Sequence, residues 1–394
     1  MSTPPRTRNA RAAANDVAIA NAAVGEILRV GVDRVSLREV AMRAGLTHGA
    51  TYARYEDVSE LLIDLWRSKL SDSAVELLAL CLRAVEERSS SAIGAFLDRI
   101  RQPRPEDVAM VEILLVSRRM DILYEEMEVF IRKHIYPEEG LTEESRAQFV
   151  RSLSLFGLAM VTVFEGHYFN DDLNHLAVTE KVLSAALNDR SAPLNPREMS
   201  SDEVVRPEED DDNLRARLVY ATYVVVAKSG YHEATVSRIA RRADCSPGAI
   251  YKLYRSKEDL VLDSFRTISG PVRGEAVVRR GRDDLTELLG HDSTRHGGQR
   301  ANFVMETSIA AAHNDTLRAT VGAFLADPDG LVARLGEFDD AQKSRVAALI
   351  HAKSALTYGA HWMSAVMTTE APNFEEFSEC FQVALLNEVA STDI

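Results

Sequence analysis

Cysteine, tryptophan, proline and glycine are all scarce in this chain of 394 residues, which holds 3, 2, 12 and 20 of them. The three cysteines, Cys81, Cys245 and Cys380, stand far apart with no CxxC and no Cys/His ligand spacing. Such an odd, scattered set excludes a disulfide framework, suggests no zinc site and fits a reducing compartment. The low glycine and proline content favours helix over sheet or low-complexity chain. No run of about 18 uncharged apolar residues occurs, and the amino terminus lacks the apolar core of a signal peptide, so a cytoplasmic protein without a membrane span is expected. Also missing are GxxxxGK[ST], HExxH and GxSxG, so the chain is expected to be no enzyme and to need no cofactor. A polar loop, "GHDSTRHGGQR", holds His291, Asp292 and His296. It could hold a metal, but with its glycines it reads far more readily as a polar loop.

What is present is acidity, unevenly spread. The net charge is −14, which argues against nonspecific adhesion to nucleic acid but not against a local basic patch. Residues 1–15 carry Arg6, Arg8 and Arg11 with no acid, whereas 202–212 hold seven acids against Arg206. The basic terminus reads equally as a solvated end or as an arm of the kind that enters a minor groove.

The chain also repeats itself. Gly31 and Gly230 are 199 residues apart, and at the same offset Ala41 matches Ala240, Arg43 Arg242, Gly49 Gly248, Tyr52 Tyr251, Tyr55 Tyr254 and Leu61 Leu260. Weaker matches at Asn174, Glu180, Leu187 and Asn188 extend the repeat toward the end of each half, which implies duplication of a whole unit. Between the halves a Pro-, Ser- and acid-rich stretch fits a solvated linker. The organisation expected is 1–66 and 213–265 as two small helical heads, 67–188 and 266–394 as two helical bundles, and 189–212 as the linker.

Each head shows the same punctuation. A first helix, Asn15 to Val30 or Asn213 to Ser229, ends at a glycine able to take a left-handed cap. "SLREVAMRA" and "TVSRIARRA" then open on hydroxyl N-caps with apolar residues at helical spacing. After a two-residue break a second hydroxyl, Thr47 or Ser246, starts a short helix, and Pro247 sits where a helix accepts proline. A fourth helix begins with capping-box spacing in Asp57 and Glu60, or Ser256 and Asp259. Helix, tight turn and short second helix is the helix-turn-helix plan, whose second helix enters the DNA major groove amino end first.

With its Gly, Ser/Thr, Ile/Val-Ala-x-x-Ala and Ser/Thr-x-Gly-x-x-Tyr, the pattern resembles the tetracycline-repressor (TetR) family, and it does so twice, over about Ile19 to Leu65 and Leu218 to Ser264. The second copy, "SPGAIYKLYRSKEDL", is the closer match, and the first has Val58 where the second keeps Lys257. The resemblance implies an all-α fold of two tandem units, each a three-helix head plus a helical regulatory bundle. It also implies that Arg38, Thr47, His48, Gly49, Thr51 and Tyr52 face double-stranded DNA in the first head. Ser237, Ser246, Pro247, Gly248, Ile250, Tyr251 and Lys257 do so in the second, with Lys257 on a phosphate. Tyr55 and Tyr254 are expected to pack inward. Thr51 offers a hydroxyl where Ile250 offers hydrocarbon, so the heads are expected to read different half-sites. Residues 36–57 carry no net charge and 235–257 carry +5, so the second head is expected to grip phosphates more strongly.

Long apolar helix-period stretches follow each head. By resemblance these are ligand-bearing bundles whose last two helices pair, either within one chain as a pseudo-dimer or between two chains as a homodimer. Phe156, Met160, Phe164 and His167 in one half, and Tyr358, His361 and Trp362 in the other, recur at helical spacing. Such stripes are ordinary core more often than contacts to a small-molecule inducer. The expected function is a ligand-responsive repressor that reads an asymmetric operator. The alternative is a helical ligand- or partner-binding protein in which one head no longer binds DNA.

Overall fold

In the computed structural model the described residues are 6–134, 143–169, 175–188, 213–269, 298–326, 339–366, 380–385 and 387–388. The linker and the loop bearing His291, Asp292 and His296 lie outside them. All regular elements among the described residues are helical. They are α1 (Arg6–Val30), α2 (Leu37–Arg43), α3 (His48–Tyr52), α4 (Val58–Leu65), α5 (Ser71–Glu87), α6 (Ser90–Arg101), α7 (Pro105–Ser117), α8 (Asp121–His134) and α9 (Glu143–Tyr168). Then follow α10 (His175–Asn188), α11 (Leu214–Glu233), α12 (Val236–Arg242), α13 (Pro247–Ile250), α14 (Lys257–Ser269), α15 (Gly298–Ala312), α16 (Asp315–Ala326) and α17 (Asp340–Val366). A short 3-10 turn (Val32–Arg34) follows α1, and a π turn (Trp66–Leu70) continues α4. This first helix begins at Arg6 and takes in Arg8 and Arg11, ahead of the start near Asn15 that the sequence predicts.

The chain forms two compact units, residues 1–76 with 103–138 and residues 77–102 with 139–394. In the first, α1 to α4 surround a core of Ile19, Ala23, Ile27, Val40, Leu61, Leu62 and Leu65, all nearly inaccessible. Helix α7 lies against α1 and the π turn, and every residue from Asp107 to Ser117 is buried. A helix apolar on nearly every side must be enclosed, and "VAMVEILLV", interrupted only by Glu112, is one. Its start is fixed by Pro105 in the first turn and by the Arg104 amide donating to Asp107 at 2.6 Å. Trp66 of the π turn meets Phe130 of α8 edge to face at 5.2 Å.

In the second unit α11 to α14 share one core with α15 and α16, built from Leu218, Val226, Ile239, Ile250, Leu260, Phe265, Phe303 and Val321. Tyr223 meets Phe303 edge to face at 5.5 Å, so the head is cemented to α15 by aromatic packing. Helix α9 runs along α17, and α10 also packs on α17. The crossing of α9 and α17 is made by two glycines. A Cβ on Gly157 would fall 2.6 Å from the carbonyl carbon of Gly359, and one on Gly359 would fall 2.5 Å from the Leu158 amide. No side chain fits there, which explains glycine inside two long helices at a cost of about 1 kcal/mol each relative to alanine. The segment Glu144–Tyr168 is long and apolar enough to cross a membrane, yet 78% of its apolar window is buried. Its apolarity is that of a core helix.

Candidate nucleic-acid interface

The two heads place their turns alike. Gly31 and Gly230 bend the chain at φ 80°, ψ 156° and φ 78°, ψ 162°. Ser36 caps α2 by accepting from the Glu39 amide at 3.2 Å, and Thr235 caps α12 from the Arg238 amide at 3.3 Å. The turn itself needs a left-handed residue, supplied by Gly45 at φ 68° and by Asp244 at φ 49°. It is closed by the Leu46 amide on the Ala41 carbonyl (2.9 Å) and the Cys245 amide on the Ala240 carbonyl (3.0 Å). Asp57 and Ser256 cap the fourth helices at 3.0 and 3.1 Å. Each pair is 199 residues apart, and one local chemistry produces both turns.

Around these turns the polar and small residues are outward. Arg38, Thr47, Gly49, Ser237, Ser246, Pro247 and Gly248 are exposed. Tyr52 and Tyr251 are large rings left 48% and 59% exposed. Ser246 caps α13 by accepting from the Ala249 amide at 3.3 Å, whereas Thr47 makes no such cap. A side chain at Gly49 would meet only open space, so its glycine leaves room for something outside the chain to approach. The His48 side chain lies outside the described ones.

Two of the expected contacts are corrected by burial. Thr51 is 0% and Ile250 is 1% exposed, and both side chains enter the head core. They follow Ala50 and Ala249 on the inner side of very short helices, while the tyrosine one residue later turns outward. Thr51 Oγ1 has no hydrogen-bond partner. The difference between hydroxyl and hydrocarbon at this position therefore concerns packing and not base reading.

Lys257 is also placed differently from expectation. It is half-buried, and its ammonium donates to the Tyr231 carbonyl at 2.9 Å and lies 3.8 Å above the Tyr231 ring. Burial holds it below the ordinary lysine range, against the pull of Glu258 and Glu233. Tyr55 is buried and Tyr254 half-buried, as expected; their hydroxyls donate to Asp64 at 2.7 Å and Asp263 at 2.6 Å.

The heads differ in electrostatics as well as in shape. In the first, Arg43 pairs with the buried Glu26 at 3.3 Å and Arg54 pairs with Asp16. In the second, Arg241, Arg242, Lys252 and Arg255 are exposed and stand outside the ion pairs found among the described residues. These four cations around α13 were legible as a charge excess, although not as individual contact residues. Cys245, in the turn, is half-buried, and burial pushes its thiol up, away from the reactive thiolate.

The residues expected to line a ligand pocket lie in the second unit. Phe156, Met160 and Phe164 of α9 are buried, as is Trp362 of α17; Tyr358 and His361 are half-buried and His167 is exposed. Phe164 meets Trp362 edge to face at 5.7 Å, so this pair is part of the α9–α17 contact. Among the described residues no group of three His, Cys, Asp or Glu side chains is placed to hold a metal.

Residues 218–263 match the family described as bacterial regulatory proteins, tetR family. The chain is similar to the fatty acid metabolism regulator protein of Bacillus subtilis (strain 168), 31% identical over 71 residues, 18% of this chain and 34% of that protein. It is also similar to the HTH-type transcriptional regulator BetI of Escherichia coli (strain SE11), 38% identical over 66 residues, 17% of this chain and 33% of the relative. The chain thus spans about a third of the length of the curated relatives it matches, and residues 218–263 carry a domain of the tetR type.

Proposed function

We propose that this protein is a cytoplasmic, ligand-responsive DNA-binding transcriptional regulator, a repressor, in which two unlike heads read the two halves of an asymmetric operator. The observation that carries the reading is the second helix-turn-helix: a tetR-type segment with Ser237, Ser246, Gly248 and Tyr251 exposed and four cations around them. Outward small residues let a backbone approach phosphates closely, and hydroxyls and arginines bind them. The equal turn geometry 199 residues earlier supports a duplicated unit with a second reading head. The α9–α17 crossing supports pairing of the halves within one chain in place of a homodimer. The inducer is a small molecule held by the bundles, with the buried aromatic side chains near Phe164 and Trp362 as the first place to seek it. Its coupling to DNA is a difference in affinity between two states.

Mobility shift on DNA upstream of the protein's own gene, over a range of salt, tests this directly. A retarded complex that weakens steeply with salt is expected. Failure to retard any genomic fragment at low salt overturns the reading, and mass measurement separates one-chain from two-chain binding. A second reading, in which only the second head binds DNA, is favoured by the ion pairs that engage Arg43 and Arg54. Footprinting of Tyr52→Ala and Tyr251→Ala decides between them, since loss of protection over one half-site by each variant requires both heads.

A further inference from the structure

The turn after the first helix of each head is fastened in a different way. In the second head Tyr231, just past the bend at Gly230, is held on two sides by the opening of α14. The Lys257 ammonium donates to its carbonyl at 2.9 Å and covers its ring at 3.8 Å, while its own hydroxyl donates to Glu258 at 2.6 Å. At the same offset the first head has Val32, Val58 and Ser59, so all three members of the cluster change together. Its bend is instead tied to the helices that follow. The Val32 amide approaches Glu112 of α7 at 3.4 Å, and Arg119, beyond the end of α7, forks onto Asp33 at 2.6 and 2.7 Å. The first head thus fastens its turn to α7, and the second fastens its turn to its own α14.

From this placement, and resting on the DNA-binding reading above, we propose that Lys257 serves the second head as a positioning residue and not as a phosphate ligand. It clips the start of α14 to the α11–α12 turn, and the short helices α12 and α13 are strung between those two clamped points. An ammonium has three donors. Tyr231 occupies the lysine with a carbonyl and a ring face, the latter worth about 0.5–2 kcal/mol according to desolvation. A helix of four residues has no internal stability of its own and takes its orientation from its flanks. Valine at position 58 then marks an exchanged fastening and not a lost DNA contact, because the tyrosine and glutamate it would serve are absent too.

The test uses the full chain and its upstream DNA, with Lys257→Met, Tyr231→Leu and the double variant. Lys257→Met is expected to weaken binding about fivefold at every salt concentration with the salt slope unchanged. The double variant is expected to lose less than the product of the two single losses. Amide exchange over residues 246–254 is expected to quicken in Lys257→Met without DNA present. A slope reduced by about 0.9, or losses that multiply, makes Lys257 a phosphate ligand and overturns the proposal; so does unchanged amide exchange. If the unaltered protein binds no DNA, it is the functional reading that fails, and the exchange measurement still decides the fastening.

Discussion

Tyr254, which follows α13, donates its hydroxyl to Asp263 at the middle of α14 at 2.6 Å. Arg215 forks onto the same carboxylate at 2.8 and 2.5 Å. The tyrosine expected to pack inward thus holds the head together through its hydroxyl as well as its ring. Tyr254→Phe is expected to lower stability by about 1–2 kcal/mol in urea unfolding. DNA affinity, compared at a temperature where both proteins are folded, is expected to change little.

The same carboxylate gives the head an acid limit. Burial works to raise the Asp263 pKa, but hydrogen bonds from Arg215 and Tyr254 outweigh it and hold the carboxyl below its ordinary range. A carboxyl lowered on folding contributes stability above its unfolded value, near ~3.9, and that contribution fades as pH falls through the folded value. Melting followed from pH 6 to about 3 is expected to show a decline that is shallower in Asp263→Asn. Equal slopes in the two proteins count against this assignment.

Thr51 carries a hydroxyl into the core with nothing to bond it. Removing a buried, unsatisfied polar group while keeping the shape relieves about 1–3 kcal/mol. Thr51→Val is therefore expected to raise the melting temperature and leave operator affinity unchanged. A base contact through Thr51 predicts the reverse, a weaker complex with little change in stability.

Glu165 of α9 has an opposite dependence on pH. Burial pushes its carboxyl up to about 8. A carboxyl raised on folding favours the fold most below its unfolded pKa, near ~4.3, and that advantage is lost as pH rises toward 8. Glu165 is only partly shielded from solvent, so the effect is smaller than full burial would give. The melting temperature is expected to fall between pH 5 and 8, and Glu165→Gln is expected to flatten that part of the profile.

At the α9–α17 crossing, Gly157→Val places two methyl groups where the Gly359 backbone already stands. Overpacking of this kind costs about 1–3 kcal/mol or more, and backbone cannot yield as a flexible side chain does. Urea unfolding is expected to report that loss, with Gly157→Ala intermediate. A neutral Gly157→Val would mean that the two helices do not meet so closely.

How much of this was readable beforehand depended on how local the cause is. Ser36, Asp57, Thr235, Ser246 and Ser256 act on an amide three residues away, so capping was visible in the sequence, as was the inward role of Tyr55 and Tyr254. Thr47, the one hydroxyl read the same way that makes no cap bond, shows that the residue type alone does not place the oxygen. The inner face of α3 was misread because a helix of five residues shows too little periodicity to define a side. The signal that identifies it is Ile250, an isoleucine at the matching position of a solvent-facing motif. The role of Lys257 was hidden because its partner is 26 residues away and is recognised only when Tyr231 and Val32 are compared together with Lys257 and Val58.

The glycine crossing has one consequence beyond packing. Because α9 and α17 are stretches of a single chain, they meet at an effective concentration set by the intervening polypeptide, and dilution does not part them. A regulator assembled from two chains must first associate, so when scarce its occupancy of DNA falls with the square of its copy number. If the proposed pairing of the halves within one chain holds, occupancy of DNA follows the first power of the copy number.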